Sequence, residues 1–160
     1  MSPGVQAGRR SSCRYVRSVR YLRTATLSDI RSVLDFWSLA AEDAHRPPDS
    51  ATALERLLDR DPEALILAQD ARNLVGTVIA GWDGWRCHLY RLAVATHRRR
   101  EGIGTALLLR AEERFTLLGG VRADAMVLRE NELAVRTWRA NGYQPQAEWA
   151  RWVKGLPMTD

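Results

Sequence analysis

The stretch from Leu92 to Thr105, Leu-Ala-Val-Ala-Thr-His-Arg-Arg-Arg-Glu-Gly-Ile-Gly-Thr, constrains this 160-residue chain more than any other part of it. An apolar run over residues 89–94 predicts a strand, a basic turn follows, and Gly102 and Gly104 open a helix. A helix start carries backbone N–H groups without an intrahelical acceptor, at the positive end of the helix dipole. Glycines without Cβ atoms let an anion lie directly on that backbone, and Arg98, Arg99 and Arg100 add matching charge. The segment is therefore expected to hold a phosphate, and best a diphosphate.

What is missing narrows the ligand. A dinucleotide fingerprint needs a third glycine three residues after Gly104, where this chain has Leu107. A nucleoside-triphosphate loop needs Gly-Lys-Ser/Thr, yet the only lysine in the chain is Lys154. The pattern that fits is Arg99-x-x-Gly102-x-Gly104 after the strand residues Leu92-Ala93-Val94. It resembles the coenzyme A signature R/Q-x-x-G-x-G/A of the GNAT superfamily of N-acetyltransferases. A second motif follows an intervening helix and strand: Asn131-x-x-Ala134-x-x-x-Trp138-x-x-x-Gly142-Tyr143. It resembles the later helix of the same superfamily, with Asn131 as N-cap and Gly142 as the C′ residue. The resemblance covers residues 21–154 and is most specific over 83–143. It implies an α+β fold with a GNAT-like mixed, mostly antiparallel sheet, one parallel splayed strand pair, and flanking helices.

Composition sets limits. Hydrophobic residues make up 46% and charged residues 27%, ordinary for one soluble globular domain. No apolar run approaches the roughly 18 residues of a membrane span. Cys13 and Cys87 make no disulfide framework, so a cytoplasmic setting is expected. The dispersed His45, His88 and His97 offer no metal-ligand spacing. The net charge of +5 is concentrated before residue 24 and in the 98–100 turn, which already has an anion to serve. Residues 1–19 are rich in Ser, Gly and Arg without periodicity or an apolar signal core, and read as a disordered extension to a domain over 20–156.

Periodicity predicts a strand at 21–25, a helix capped by Thr26 to Asp29, and a second helix from Ser50 to about Asp61. Strands follow at 64–68 and 74–82, with Asp83-Gly84 turning the second into an antiparallel hairpin with 86–94. The helix after Gly104 ends at Gly119-Gly120. The strand at 121–128 is reached through that helix, so it should run parallel to 89–94. Segments 143–146 and 149–154 are expected to close the sheet.

The resemblance further implies acetyl-CoA as co-substrate, with no metal. Its pantetheine arm would lie along the main chain at Leu92 and Val94, with the Leu92 N–H polarising the thioester carbonyl. Arg99, Arg100, Gly102, Ile103, Gly104 and Thr105 would hold the diphosphate, and Asn131 would fix the arm. An amine, of a small molecule or a protein, would attack directly, because neither cysteine sits as a nucleophile should. His88 is the favoured proton acceptor, at the position where histone-type members carry glutamate; Glu130, Glu42 and Asp43 are weaker alternatives. Trp138 departs from the tyrosine many members use as an acid, so the leaving thiolate would draw a proton from Tyr90, Tyr143 or water, or leave unprotonated. Trp82, Trp85 and Tyr90 are read as strand packing, one of them able to line an acceptor pocket. Two other readings compete: a coenzyme A-binding sensor without catalysis, and, ranked last, an arginine-rich nucleic-acid-binding domain. No membrane partner is expected, and a homodimer is left open.

Overall fold

The computed structural model describes residues 21–41 and 46–157. The chain divides into two compact units, Met1–Met126 and Val127–Asp160.

The first unit is built on a five-stranded sheet in the order β1 (Tyr21–Thr24), β2 (Leu65–Asp70), β3 (Asn73–Trp82), β4 (Cys87–Val94) and β5 (Ala123–Ala125). The first four strands pair antiparallel and β5 pairs parallel to β4, as expected for a strand reached through a helix. The turn from β3 to β4 spans residues 83–86 and is wider than a two-residue Asp-Gly hairpin. Asp83 Oδ1 accepts the amides of Trp85 (2.8 Å) and Arg86 (2.6 Å), and Gly84 takes a left-handed φ of 92°. The amides of Arg86 and Trp85 hold the Asp83 carboxyl below its usual range.

Helices α1 (Ile30–Ala40) and α2 (Ala51–Arg60) cover one sheet face. Ile30, Val33, Trp37, Leu54 and Leu58 form a core there with Leu65, Leu67 and Ile79. The start of α1 is fixed by Asp29, which accepts the Thr26 amide (2.8 Å) and pairs with Arg23 (2.6 Å). Ser50 caps α2 by accepting the Ala53 amide at 3.1 Å.

Helix α3 (Ile103–Leu117) covers the other face, burying Ile103, Leu107, Leu108, Ala111 and Phe115. Successive strand residues point to opposite faces. Thr77 therefore faces α1, and Gly76 faces α3. A Cβ on Gly76 would lie only 2.9 Å from both Ile103 Cγ2 and Leu107 Cδ1, so the first turns of α3 sit directly on the β3 backbone. At the far end, Gly120 leaves room for the Cys87 thiol, which is buried and whose pKa that burial pushes up. Arg114 of α3 donates to the Ala80 carbonyl (2.9 Å) and to both carboxylate oxygens of Asp61 (2.5 and 2.6 Å). It thus ties α3 to β3 and to the end of α2.

Two expectations need correction. The fifth strand is three residues long rather than the eight of 121–128, with Val121 99% exposed. Segments 143–146 and 149–154 form no strand; among the described residues none follows β5. Tyr, Trp and Val favour strands only where a ladder receives them. Pro145 has no N–H to give one, and Trp149 and Trp152 are exposed. The second unit contains α4 (Glu132–Ala140). Among the described residues, no helix is long and apolar enough to cross a membrane, and no cluster of His, Cys, Asp and Glu could hold a metal ion.

Candidate active site

The basic loop leaves β4 through a short helical turn, Thr96–Arg98, and reaches α3 with Arg100 at φ 66° and Gly102 at φ 84°. Left-handed residues in such a loop turn neighbouring N–H groups toward one concavity, the geometry of anion-binding nests. Gly102 is the N-cap and has no side chain to cap with; the first bond into the helix is Ala106 N–H to Gly102 O at 3.0 Å. The amides of Ile103, Gly104 and Thr105 are those a helix start leaves for an outside acceptor. An uncapped helix start beside two left-handed residues suits a diphosphate, so this part of the chain fits the group.

The three arginines are not equivalent. Arg98 donates to Glu101 (2.9 and 3.0 Å) and to Asp70 on β2 (2.8 Å), and these bonds raise its pKa further. It anchors the loop to the sheet. Arg99 lies with Nε 3.4 Å from the Val94 carbonyl; its residue and that of Arg100 are exposed. The charge available to an anion therefore comes from two arginines rather than three.

Beside the loop, β4 is irregular on both edges. Toward β3 the register runs to Ile79↔Tyr90 and resumes at Thr77↔Ala93, so Val78 faces both Arg91 and Leu92. This is a β-bulge, and Arg91 carries it at φ 52°. Toward β5 the parallel ladder stops at Leu89↔Ala125. Past that point, Leu92 and Val94 have no β5 partner among the described residues, and their backbone can receive an extended ligand as another strand would.

His88 is half-buried, in register between Gly81 of β3 and Asp124 of β5. Its ring lies 5.9 Å from that of Tyr90. A Cβ on Gly81 would come within 3.2 Å of Tyr90 Cε2, so the Tyr90 ring lies across a gap that glycine leaves. Asp124 adds a carboxylate to this face, paired with Arg122 at 3.2 Å. Trp85 is exposed with the Arg86 guanidinium 4.8 Å above its ring, a surface pairing; Trp82 is half-buried. Glu42 and Asp43 lie outside the described residues.

In the second unit Asn131 caps α4, its Oδ1 accepting the Ala134 amide at 2.9 Å. Gly142 takes the left-handed C′ conformation at φ 89°. Trp138 is buried and meets Tyr143 edge to face at 4.8 Å between centroids. Glu130 is exposed and its carbonyl accepts the Glu132 amide.

Sequence reasoning missed the residues behind the bulge. Trp37 Nε1 donates to Thr77 Oγ1 (2.9 Å), and Thr77 Oγ1 donates to the Arg91 carbonyl (2.9 Å). The Arg91 guanidinium stacks 4.7 Å above the Trp37 ring and its Nε donates to Asp49 at 3.0 Å. These contacts join residues 40 or more positions apart, except for Thr77 and Arg91, and no local pattern announces them.

The acetyltransferase (GNAT) family model matches residues 30–143. An acetyltransferase of Yersinia enterocolitica is 30% identical over 126 residues, covering 78% of this chain and 88% of that protein. One from Sodalis glossinidius is 29% identical over 126 residues, covering 78% and 87%. Among solved structures, Ard1 from Thermoplasma volcanium is similar at a TM-score of 0.69 and 20% identity, covering 79% of this chain and 84% of that one. The yncA protein of Salmonella typhimurium, solved with its cofactor acetyl-CoA, is similar at 0.64 and 15% identity, covering 76% and 78%. The structural likeness carries the fold; the family match and the relatives carry membership. This chain belongs to the GNAT family and is an acetyltransferase.

Proposed function

We propose that the protein transfers the acetyl group of acetyl-CoA to a primary amine, of a small molecule or a protein, by direct attack in a ternary complex. The observation that carries this reading is the end of the β4–β5 ladder at Leu89↔Ala125, short of Leu92 and Val94, set beside a helix start with no side-chain cap. In this reading Arg99, Arg100 and the amides from Gly102 to Thr105 hold the diphosphate. Leu92 and Val94 accept the pantetheine arm as a strand would, and the Leu92 N–H polarises the thioester carbonyl. A backbone donor so placed is worth about 3 kcal/mol in related acyl transfers. The test is a panel of amines scored by release of free thiol from acetyl-CoA; release that no amine stimulates would leave a cofactor-binding sensor instead.

His88 is assigned as proton acceptor for the attacking amine, directly or through water. His88→Gln is expected to lower kcat/KM about 10²-fold at neutral pH while sparing acetyl-CoA affinity. A folded variant that keeps the wild-type kcat/KM would assign the proton elsewhere.

Trp138 holds no acidic proton near neutrality, and its ring contact with Tyr143 gives it a packing role. Trp138→Phe should therefore keep kcat within about tenfold, a barrier change of about 1.4 kcal/mol. A thousandfold fall with stability and cofactor binding intact would give the indole a chemical part.

A further inference from the structure

We infer that Thr77, held by Trp37, is a positioning residue that sets the bulge of β4 and thereby aims the Leu92 N–H at the thioester carbonyl. The inference rests on the acetyl-transfer reading above and adds to it the residues that make the backbone donor rigid.

A bulge gives one strand an extra residue, and here the extra residue is Arg91 at φ 52°, a conformation that a residue with a Cβ adopts at a cost. Something must hold it. The Arg91 carbonyl accepts from the Thr77 hydroxyl at 2.9 Å, and that hydroxyl accepts from the Trp37 indole at 2.9 Å. Thr77 is fully buried and Trp37 nearly so, so neither bond exchanges with water. The order of donors leaves no choice: indole nitrogen only donates, so the threonine proton is committed to the Arg91 carbonyl. That carbonyl belongs to the peptide unit whose nitrogen is Leu92 N. Peptide planarity then carries the constraint from the carbonyl oxygen to the Leu92 N–H.

The Arg91 side chain is clamped independently. It stacks on the same Trp37 ring at 4.7 Å and pairs with Asp49, which Arg46 also reaches at 3.1 Å. Trp37 thus steadies both the backbone and the side chain of the bulge residue. Among the described residues the Thr77 hydroxyl makes these two hydrogen bonds and no other.

The test reads the carbonyl itself and needs no acceptor amine. Acetyl-CoA labelled with ¹³C at the acetyl carbonyl is bound to the wild-type protein, and its C=O stretch is compared with that of free acetyl-CoA. A hydrogen bond from Leu92 moves the band to lower frequency. Thr77→Val keeps the shape and removes the hydroxyl; most of the shift should be lost while affinity for coenzyme A, which has no thioester, is retained. Thr77→Ser should restore the shift. Trp37→Phe, which keeps the ring and removes the indole donor, should lose part of it, and serves if Thr77→Val does not fold. A merely structural threonine would change the melting temperature and leave the bound carbonyl frequency alone. A full shift in folded Thr77→Val, or no rescue by serine, overturns the inference. No shift in the wild-type complex overturns the Leu92 assignment first, and the inference with it.

Discussion

Gly104→Glu is expected to abolish acetyl-CoA binding, raising the dissociation constant by more than 100-fold. Gly104 is the second residue of α3, in the turn whose amides have no intrahelical acceptor. A glutamate there brings a side chain and a negative charge to the place assigned to the diphosphate. The helix itself should not suffer: glutamate favours helices over glycine, and a carboxylate near a helix start is stabilising. Affinity and stability should therefore separate, with the apo variant melting at or above the wild type. Wild-type protein with ligand at about 100 times its dissociation constant gains about 2.7 kcal/mol. In a domain of this size that is a rise of about 5–10 °C in Tm. The variant should show no rise in the same scan, and titration calorimetry should give no heat above dilution. Binding undiminished in Gly104→Glu would place the cofactor away from this loop.

The largest stability effect is expected at the Arg114–Asp61 pair. The Arg114 side chain is 9% exposed and that of Asp61 19%, and the two are joined by two hydrogen bonds. Arg114 Nε is buried without a partner among the described residues, so the guanidinium depends on Asp61 and the Ala80 carbonyl for compensation. Asp61→Ala strands that charge, a change that costs about 3–5 kcal/mol in comparable buried pairs. Replacing both partners removes the stranded charge along with the pair, so Asp61→Ala combined with Arg114→Met should recover much of the loss. Urea unfolding of the two single variants and the double variant closes the cycle. Losses that simply add, with the double variant as unstable as the sum, would mean that the pair does not act as a pair.

The strand, basic turn and helix over 89–117 were legible because their signals are local. An apolar run, two glycines and an amphipathic stripe need no distant residue to be read. Asn131 and Gly142 were legible for the same reason, since caps are properties of a few adjacent residues. The bulge was not. Arg91 holds a left-handed φ without being glycine, and two residues facing Val78 become visible only once the β3–β4 register is known. The neutralisation of Arg98 was hidden as well, because Asp70 lies 28 residues away. The overreach came at 121–128, 143–146 and 149–154, where strand-favouring side chains were read without asking which ladder would receive them. The assignment of His88 sits between these cases: its place on β4 was readable, whereas its neighbours Tyr90, Gly81 and Asp124 follow from pairing.

The bare seat that Gly76 leaves under Ile103 and Leu107 has a consequence for how affinity is inherited in this chain. Arg98 ties the loop that carries them to β2, but the height above the sheet of the amides assigned to the diphosphate is the contact distance between a helix and a strand that lacks a side chain. Hydrophobic packing and anion recognition therefore share one mechanical coordinate. Drift in the interior, with no ligand-facing residue altered, would be felt as a change in cofactor affinity. Selection on binding would in turn be felt as restraint on core volume at the first two turns of α3.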